Sequence, residues 1–208
     1  MVSSAGRDAL DGRRIRGDRA RAHVLAHSTS IASIDGLDGL TLGRVAADAG
    51  VGKGNIQVLF GDREALQLAT LEGAVGLYKT AVIDPALRET SPLARLSALV
   101  DGWYAFVEAR TLPGGCFINA VSSEYRARPG PIRDRINGHR ADKRARFRQL
   151  IAEAKTAGEL RVDVDDAQLT FELLAYQAAA NVAALMGEEE EFALARRSSR
   201  DRLNAAIV

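Results

Sequence analysis

Between residues 50 and 55 the chain reads Gly50-Val51-Gly52-Lys53-Gly54-Asn55. Glycines around a lysine are the ingredients of a phosphate cradle: backbone N–H groups face the anion and the ammonium neutralises it. Spacing rejects both nucleotide-binding forms of that chemistry. A P-loop ending in Gly52-Lys53 needs its first glycine where Ala47 stands, and a hydroxyl for Mg²⁺ where Gly54 stands. A dinucleotide fingerprint begun at Gly50 needs a third glycine where Asn55 stands. Both motifs also follow a strand. Here the preceding residues are helical, with Leu42, Val45, Ala46 and Ala49 at i, i+3, i+4 and i+7.

A helix-turn-helix accounts for the same residues. Gly50 sits where a helix-closing glycine with positive φ belongs, and Val51 can plug the angle between two helices. Gly52 to Asn55 then open a second helix with side chains that are small or long and polar. A DNA backbone can approach such a surface closely while Lys53 and Asn55 reach phosphates or base edges. Two glycines in a short helix cost about 1–2 kcal/mol in propensity. A three-helix packing unit without DNA is the plainer reading of the same stretch.

The elements that position these residues are helices. In 208 residues, 47% hydrophobic and 26% charged, strand-like alternation is nearly absent, while Ala, Leu, Arg and Glu recur with helical spacing. Helices are expected over about 18–34, 41–49 with Thr41 as N-cap, 52–59, and from Asp62 to about Val82, before Pro85. In the remainder, Leu96, Leu99, Val100, Trp103, Phe106 and Val107 mark a helix over 93–110. Others are expected over 116–127, 132–157, from Asp165 or Asp166 to Met186, and 188–206. The net charge of +1 says little, although residues 1–63 carry nine Lys/Arg against seven Asp/Glu. The first 19 residues lack the apolar segment of a secretory signal. The apolar run 173–187 would span roughly 22 Å as a helix, short of a ~30 Å hydrocarbon core, so a buried helix and no membrane partner are expected.

Residues 36–66, GLDGLTLGRVAADAGVGKGNIQVLFGDREAL, resemble the head of tetracycline-repressor-type (TetR) transcriptional regulators. The matching residues are Gly36, Thr41, Val45-Ala46, Ala49-Gly50-Val51, Lys53-Gly54, Ile56, Phe60 and Glu64-Ala65-Leu66. The resemblance implies that Gly52 to Leu59 form the recognition helix, that Thr41 helps hold a phosphate, and that Arg63 touches the DNA backbone. The DNA-contact candidates are thus Thr41, Gly52, Lys53, Gly54, Asn55, Gln57, Val58, Leu59 and Arg63. Gln57 replaces the family's common tyrosine, Leu59 an aromatic or histidine, and Ala32 a larger apolar residue. The implied fold is all-α: an N-terminal three-helix helix-turn-helix head and a larger helical ligand-binding and dimerisation body. Its division would be a flexible basic arm (1–17), a DNA-binding domain (18–66) and an effector-binding and dimerisation domain (67–208).

In the body, Trp103, Tyr104, Phe106, Phe117, Tyr125, Phe171 and Tyr176, with Asn119, Gln177 and Asn181 as polar handles, are candidates to line an effector cavity. Plain core is the competing role for each. The 166–186 helix is apolar almost all round and rich in alanine, so Leu174, Ala178, Asn181, Val182 and Leu185 are candidates for a two-fold interface with a second copy. Recognition helices about one DNA turn (~34 Å) apart would then read a pseudo-palindrome. Residues 126–148 hold nine Lys/Arg against Asp134 and Asp142, read as a solvated face or as a second nucleic-acid surface. The arginines at 7, 13, 14 and 16 are read as a tail with transient phosphate contacts. Cys116, the single cysteine, is either a sensor at a helix start or a small buried residue. His23, His27 and His139 are isolated in sequence, and no carboxylate pair, nucleophile triad or metal cluster is legible, so no catalysis, metal or cofactor is expected.

The function expected is a cytoplasmic, ligand-responsive repressor that binds its operator as a homodimer and is released by a small-molecule effector. The alternative is a small helical enzyme or ligand carrier that uses the body cavity, with a head that is only structural.

Overall fold

Helical spacing in the sequence becomes helix almost throughout. The computed structural model describes the backbone from Ser4 to Val208 and the side chains from Ile15 onward. The elements are α1 (Ser4–Asp35), α2 (Leu42–Asp48), α3 (Lys53–Phe60), α4 (Arg63–Tyr78), a π-helical turn (Lys79–Ile83) and α5 (Asp84–Ala86). There follow α6 (Pro92–Glu108), α7 (Phe117–Glu124), α8 (Pro131–Thr156), α9 (Asp166–Met186) and α10 (Glu189–Asn204). Among the described residues the one β contact is an isolated antiparallel bridge between Leu160 and Ile207.

Local chemistry sets most boundaries. Thr41 caps α2, its Oγ1 accepting from the Arg44 N–H at 3.1 Å. Ser91 does the same for α6 through the Ala94 N–H, with Pro92 in the first turn where its missing N–H is no loss. Asp165 caps α9 by accepting from the Ala167 and Gln168 N–H groups, and Gly187, with φ of 76°, closes it. Two expectations are corrected. Helical backbone begins at Ser4 and not near residue 18; no proline interrupts residues 4–17, although Gly6, Gly12 and Gly17 fall within them. The side chains of Arg7, Arg13 and Arg14 lie outside the described residues. The chain also stays helical past Val82: it widens into the π turn, and Pro85 falls in the first turn of α5.

The chain divides into two compact units, one up to Gly73 and one from Ala74. The division falls inside α4 and not at residue 66. In the first unit Val24, Ile31, Ala32, Leu37, Leu40, Val45, Ile56 and Leu66 form the core. Two buried polar bonds tie α4 to the α1 side: Thr70 Oγ1 donates to Ser28 Oγ at 2.9 Å, and Gln67 Nε2 to the Leu37 carbonyl at 2.7 Å.

In the second unit α6 is the central helix, burying Leu96, Leu99, Val100, Trp103, Tyr104, Phe106 and Val107. Tyr104 Oη binds α10 twice, donating to the Ala195 carbonyl at 3.0 Å and meeting Ser199 Oγ at 2.8 Å. Its burial holds the phenol above its ordinary pKa. At 21 residues α9 exceeds the run 173–187 and reaches the length and hydropathy of a membrane span. Its inner face is nonetheless built for this body. Thr170, Gln177 and Asn181 are buried beside Leu169, Leu173 and Ala180, and Glu172 pairs with Arg202 of α10.

Candidate nucleic-acid interface and ligand cavity

The turn between α2 and α3 closes as the sequence requires. Gly50 has φ of 65°, its N–H donating to the Ala47 carbonyl at 3.3 Å, and the Val51 N–H donates to the Ala46 carbonyl at 3.0 Å. Helix α3 is anchored from behind by Ile56, fully buried, and Phe60. Arg21 of α1 holds its end: Nη1 donates to the Leu59 carbonyl at 2.6 Å, and the guanidinium lies 4.4 Å from the Phe60 ring centroid.

This anchoring leaves one side of α3 outward. Gly52, Lys53, Gly54, Asn55, Gln57 and Val58 are exposed, Val58 by 87%, while Leu59 is half-buried. Among the described residues a Cβ placed on Gly52 or on Gly54 would meet nothing within 4 Å. Packing among the described residues therefore requires neither glycine. Gly52 is also the N-cap of α3 and makes no side-chain cap bond, so no capping side chain covers the positive end of the helix dipole.

Thr41 is exposed, and capping uses its oxygen as acceptor, which leaves the hydroxyl proton to donate outward. Arg63 has a structural task that sequence reasoning missed. Its Nε donates to the Leu40 carbonyl at 2.8 Å and its Nη2 to the Asp38 carbonyl at 2.7 Å, clamping the α1–α2 loop. His23 and His27 are not isolated in space. Their rings stack edge-on at 4.7 Å, with His23 Nε2 at 2.9 Å from the Ala49 carbonyl and His27 Nδ1 at 2.7 Å from Asp48 Oδ2. Together they bind α1 to the C-terminal end of α2. Their i, i+4 spacing was the signal.

In the second unit a cavity of about 170 Å³ opens among α4, the π turn, α6, α7 and α8. Of the residues expected there, Phe106, Phe117 and Asn119 line it. Trp103 stands behind the wall, its ring 5.8 Å from Lys143 Nζ, and Gln177 Oε1 accepts from that same Nζ at 2.8 Å. The others are placed elsewhere. Tyr104 is spent on α10, Tyr125 borders a separate groove beside Arg126 and Arg133, and Tyr176 lies outside the lining. Phe171 is 69% exposed on the outer face of α9.

Sequence reasoning missed Tyr78 and Lys143, both on the cavity wall. Burial keeps the Tyr78 phenol well above its ordinary pKa and lowers that of the Lys143 ammonium, with the nearby Cys116 opposing the latter. The signal for Lys143 was its register. It falls seven residues after Ile136 and four before Phe147, on the apolar stripe of α8. The basic stretch 126–148 is thus not one solvated face, since Lys143 turns inward from it.

A second, open groove of about 550 Å³ runs along α7, α8 and α9. Leu174, Ala178, Asn181, Val182 and Leu185 all border it. Asn181 itself is buried and directed inward, Oδ1 accepting from the Cys116 N–H at 2.6 Å, while Val182 and Leu185 are 59% and 42% exposed. Cys116 is buried at the cavity edge. Among the described residues no group of His, Cys, Asp and Glu could hold a metal ion.

Residues 92–199 match the family model of the tetracyclin repressor-like C-terminal domain. No curated protein matches by sequence. Among solved structures, a TetR transcriptional regulator from Chloroflexus aurantiacus is similar at a TM-score of 0.84 and 22% identity, over 92% of this chain and 98% of that one. A TetR-family regulator from Cytophaga hutchinsonii is similar at 0.82 and 18%, over 93% and 97%. The regulator AibR, solved with isovaleryl coenzyme A and operator DNA, is similar at 0.64 and 17%, over 78% and 85%. The family match spans most of the helical body, and the head carries the helix-turn-helix that such a body accompanies: the chain belongs to the TetR family of ligand-responsive, DNA-binding transcriptional regulators.

Proposed function

We propose that the protein is a cytoplasmic, homodimeric repressor whose α3 reads a pseudo-palindromic operator and whose body cavity takes the releasing effector. The observation that carries the reading is the outward side of α3. Lys53, Asn55 and Gln57 stand exposed around two glycines that packing among the described residues does not require. A surface of that kind admits a phosphate backbone at close range and leaves long polar side chains to read base edges. Thr41 adds a hydroxyl donor, Val58 an apolar contact for a thymine methyl, and Leu59 a half-buried shoulder. Arg63, clamped to the α1–α2 loop and 3.8 Å from the Asp38 carboxylate, orders the backbone beside the site.

The body supplies the second partner and the second copy. Leu174, Ala178, Val182 and Leu185, continued by Phe171 and Met186, form an apolar stripe along α9 that suits a two-fold helix-pair interface. That a regulator of similar fold, AibR, was solved with both isovaleryl coenzyme A and operator DNA supports a reading with two partners. Regulation without catalysis follows from the same assignment.

The test is a gel-shift titration with the purified protein on fragments recovered by genomic footprinting. Lys53→Ala with Asn55→Ala should abolish specific retardation while leaving the circular dichroism spectrum and Tm unchanged. Specific binding that survives the double substitution would sink the assignment of α3.

A further inference from the structure

The cavity between α4 and α8 has an uneven inventory of polar groups. Its wall is mainly apolar, with Tyr78, Ile83, Phe106, Leu112 and Phe117, and Lys143 and Asn119 project into it. Lys143 Nζ gives one hydrogen bond to Gln177 Oε1 at 2.8 Å and lies 5.8 Å from the rings of both Tyr78 and Trp103. Among the described residues it has no carboxylate partner. An ammonium can donate three hydrogen bonds, so two remain. Among the described residues neither Asn119 Nδ2 nor Gln177 Nε2, both buried, has an acceptor. Every one of these open valences is a donor.

On the cavity wall a half-buried cation stands beside the orphaned Nδ2 of Asn119, and two such donors suit an acceptor that carries charge. The protein's own charges do not supply it. On the same wall Lys79 is engaged with Asp84 at 2.6 Å, Arg146 adds another cation, and the single carboxylate, Asp142, is an exposed residue. Burial disfavours the charged form of Lys143, and an anion hydrogen-bonded to Nζ offsets part of the desolvation cost that the unpaired ammonium bears alone. Size narrows the choice: about 170 Å³ is close to the ~150 Å³ apolar cavity that accepts benzene.

We propose that the effector is a small monocarboxylic acid with a compact apolar body. Its carboxylate pairs with Lys143 Nζ and accepts from Asn119 Nδ2, and its body lies against Tyr78, Phe106 and Phe117. This rests on the reading of the cavity as the effector site.

The experiment compares acid with neutral isostere on the full-length wild-type protein. Titration calorimetry and thermal shift are run with benzoate against benzamide and with hexanoate against hexanol, and operator retardation is recorded in parallel. At least one acid should bind tenfold or more tightly than its neutral counterpart, raise Tm and release the operator. Lys143→Met should erase that tenfold preference and leave the weak binding of the neutral compound in place. Equal or tighter binding of both neutral compounds, or no binding of either acid, overturns the inference even when the operator is retarded normally. Failure of the wild-type protein to retard any operator would instead overturn the regulator reading.

Discussion

Asn181 Oδ1 lies 2.6 Å from the backbone nitrogen of Cys116, and a Cβ on Gly115 would meet that same oxygen at 2.6 Å. One amide of α9 thus holds the loop that leads into α7, and it fits because the preceding residue has no side chain. Gly115 also has φ of 72°, a conformation that penalises any other residue. The Pro113-Gly114-Gly115-Cys116 segment is therefore a docking turn. Gly115→Ala should cost about 1–3 kcal/mol, from strain and from the displaced amide. Urea unfolding monitored by circular dichroism measures it, and an unchanged midpoint would remove Asn181 from this role.

In the head, packing and recognition can be separated by substitution. Ile56 is fully buried, so Ile56→Ala should destabilise the head by about 2–5 kcal/mol. Lys53→Ala should leave stability unchanged and lower the slope of log K against log salt by about one, as loss of a single phosphate contact requires. Gln57→Ala should act differently, weakening the cognate operator more than a mismatched one. Binding isotherms at several salt concentrations distinguish the two.

The α9 stripe gives a prediction about assembly. Val182 and Met186 are 59% and 71% exposed, yet both are apolar and one helical turn apart. Val182→Asp with Met186→Glu should convert a dimer at micromolar concentration into a monomer in sedimentation and weaken operator binding with it. A wild-type protein that sediments as a monomer would dispose of the interface.

The start of α9 carries a pH signature. The Gln168 and Ala167 N–H groups donate to Asp165 and hold its carboxyl below the ordinary aspartate range. A group depressed in the folded state adds stability that is complete above its unfolded pKa and lost as pH falls through its folded one. Wild type should therefore lose stability from this group only below the ordinary aspartate pKa. Asp165→Asn keeps a capping oxygen and should lose less on acidification. Parallel stability curves for the two proteins from pH 5 to 2 would contradict this.

Much of the fold was legible in the sequence because its causes are local. The 3.6-residue spacing of Leu96, Leu99, Val100 and Trp103 is enough to orient α6, and Thr41, Asp165, Gly50 and Gly187 mark helix ends by hydrogen bonds a few residues long. The helix-turn-helix was legible for the same reason, since α2, its glycine turn and α3 form one short segment.

What the tertiary structure alone decided are the partners of side chains far apart in sequence. Lys143 meets Gln177 across 34 positions, Cys116 meets Asn181 across 65, and Arg63 reaches Leu40 across 23. An α9 apolar almost all round gave no hint that Asn181 faces inward while Phe171 faces out. The register of Lys143 on the apolar stripe of α8 marked its direction, but nothing local to α8 identified Gln177 as its partner. Composition and periodicity report how strongly a face avoids water. Which polar group on that face finds a buried partner depends on the helix packed against it, and only the assembled body specifies that helix.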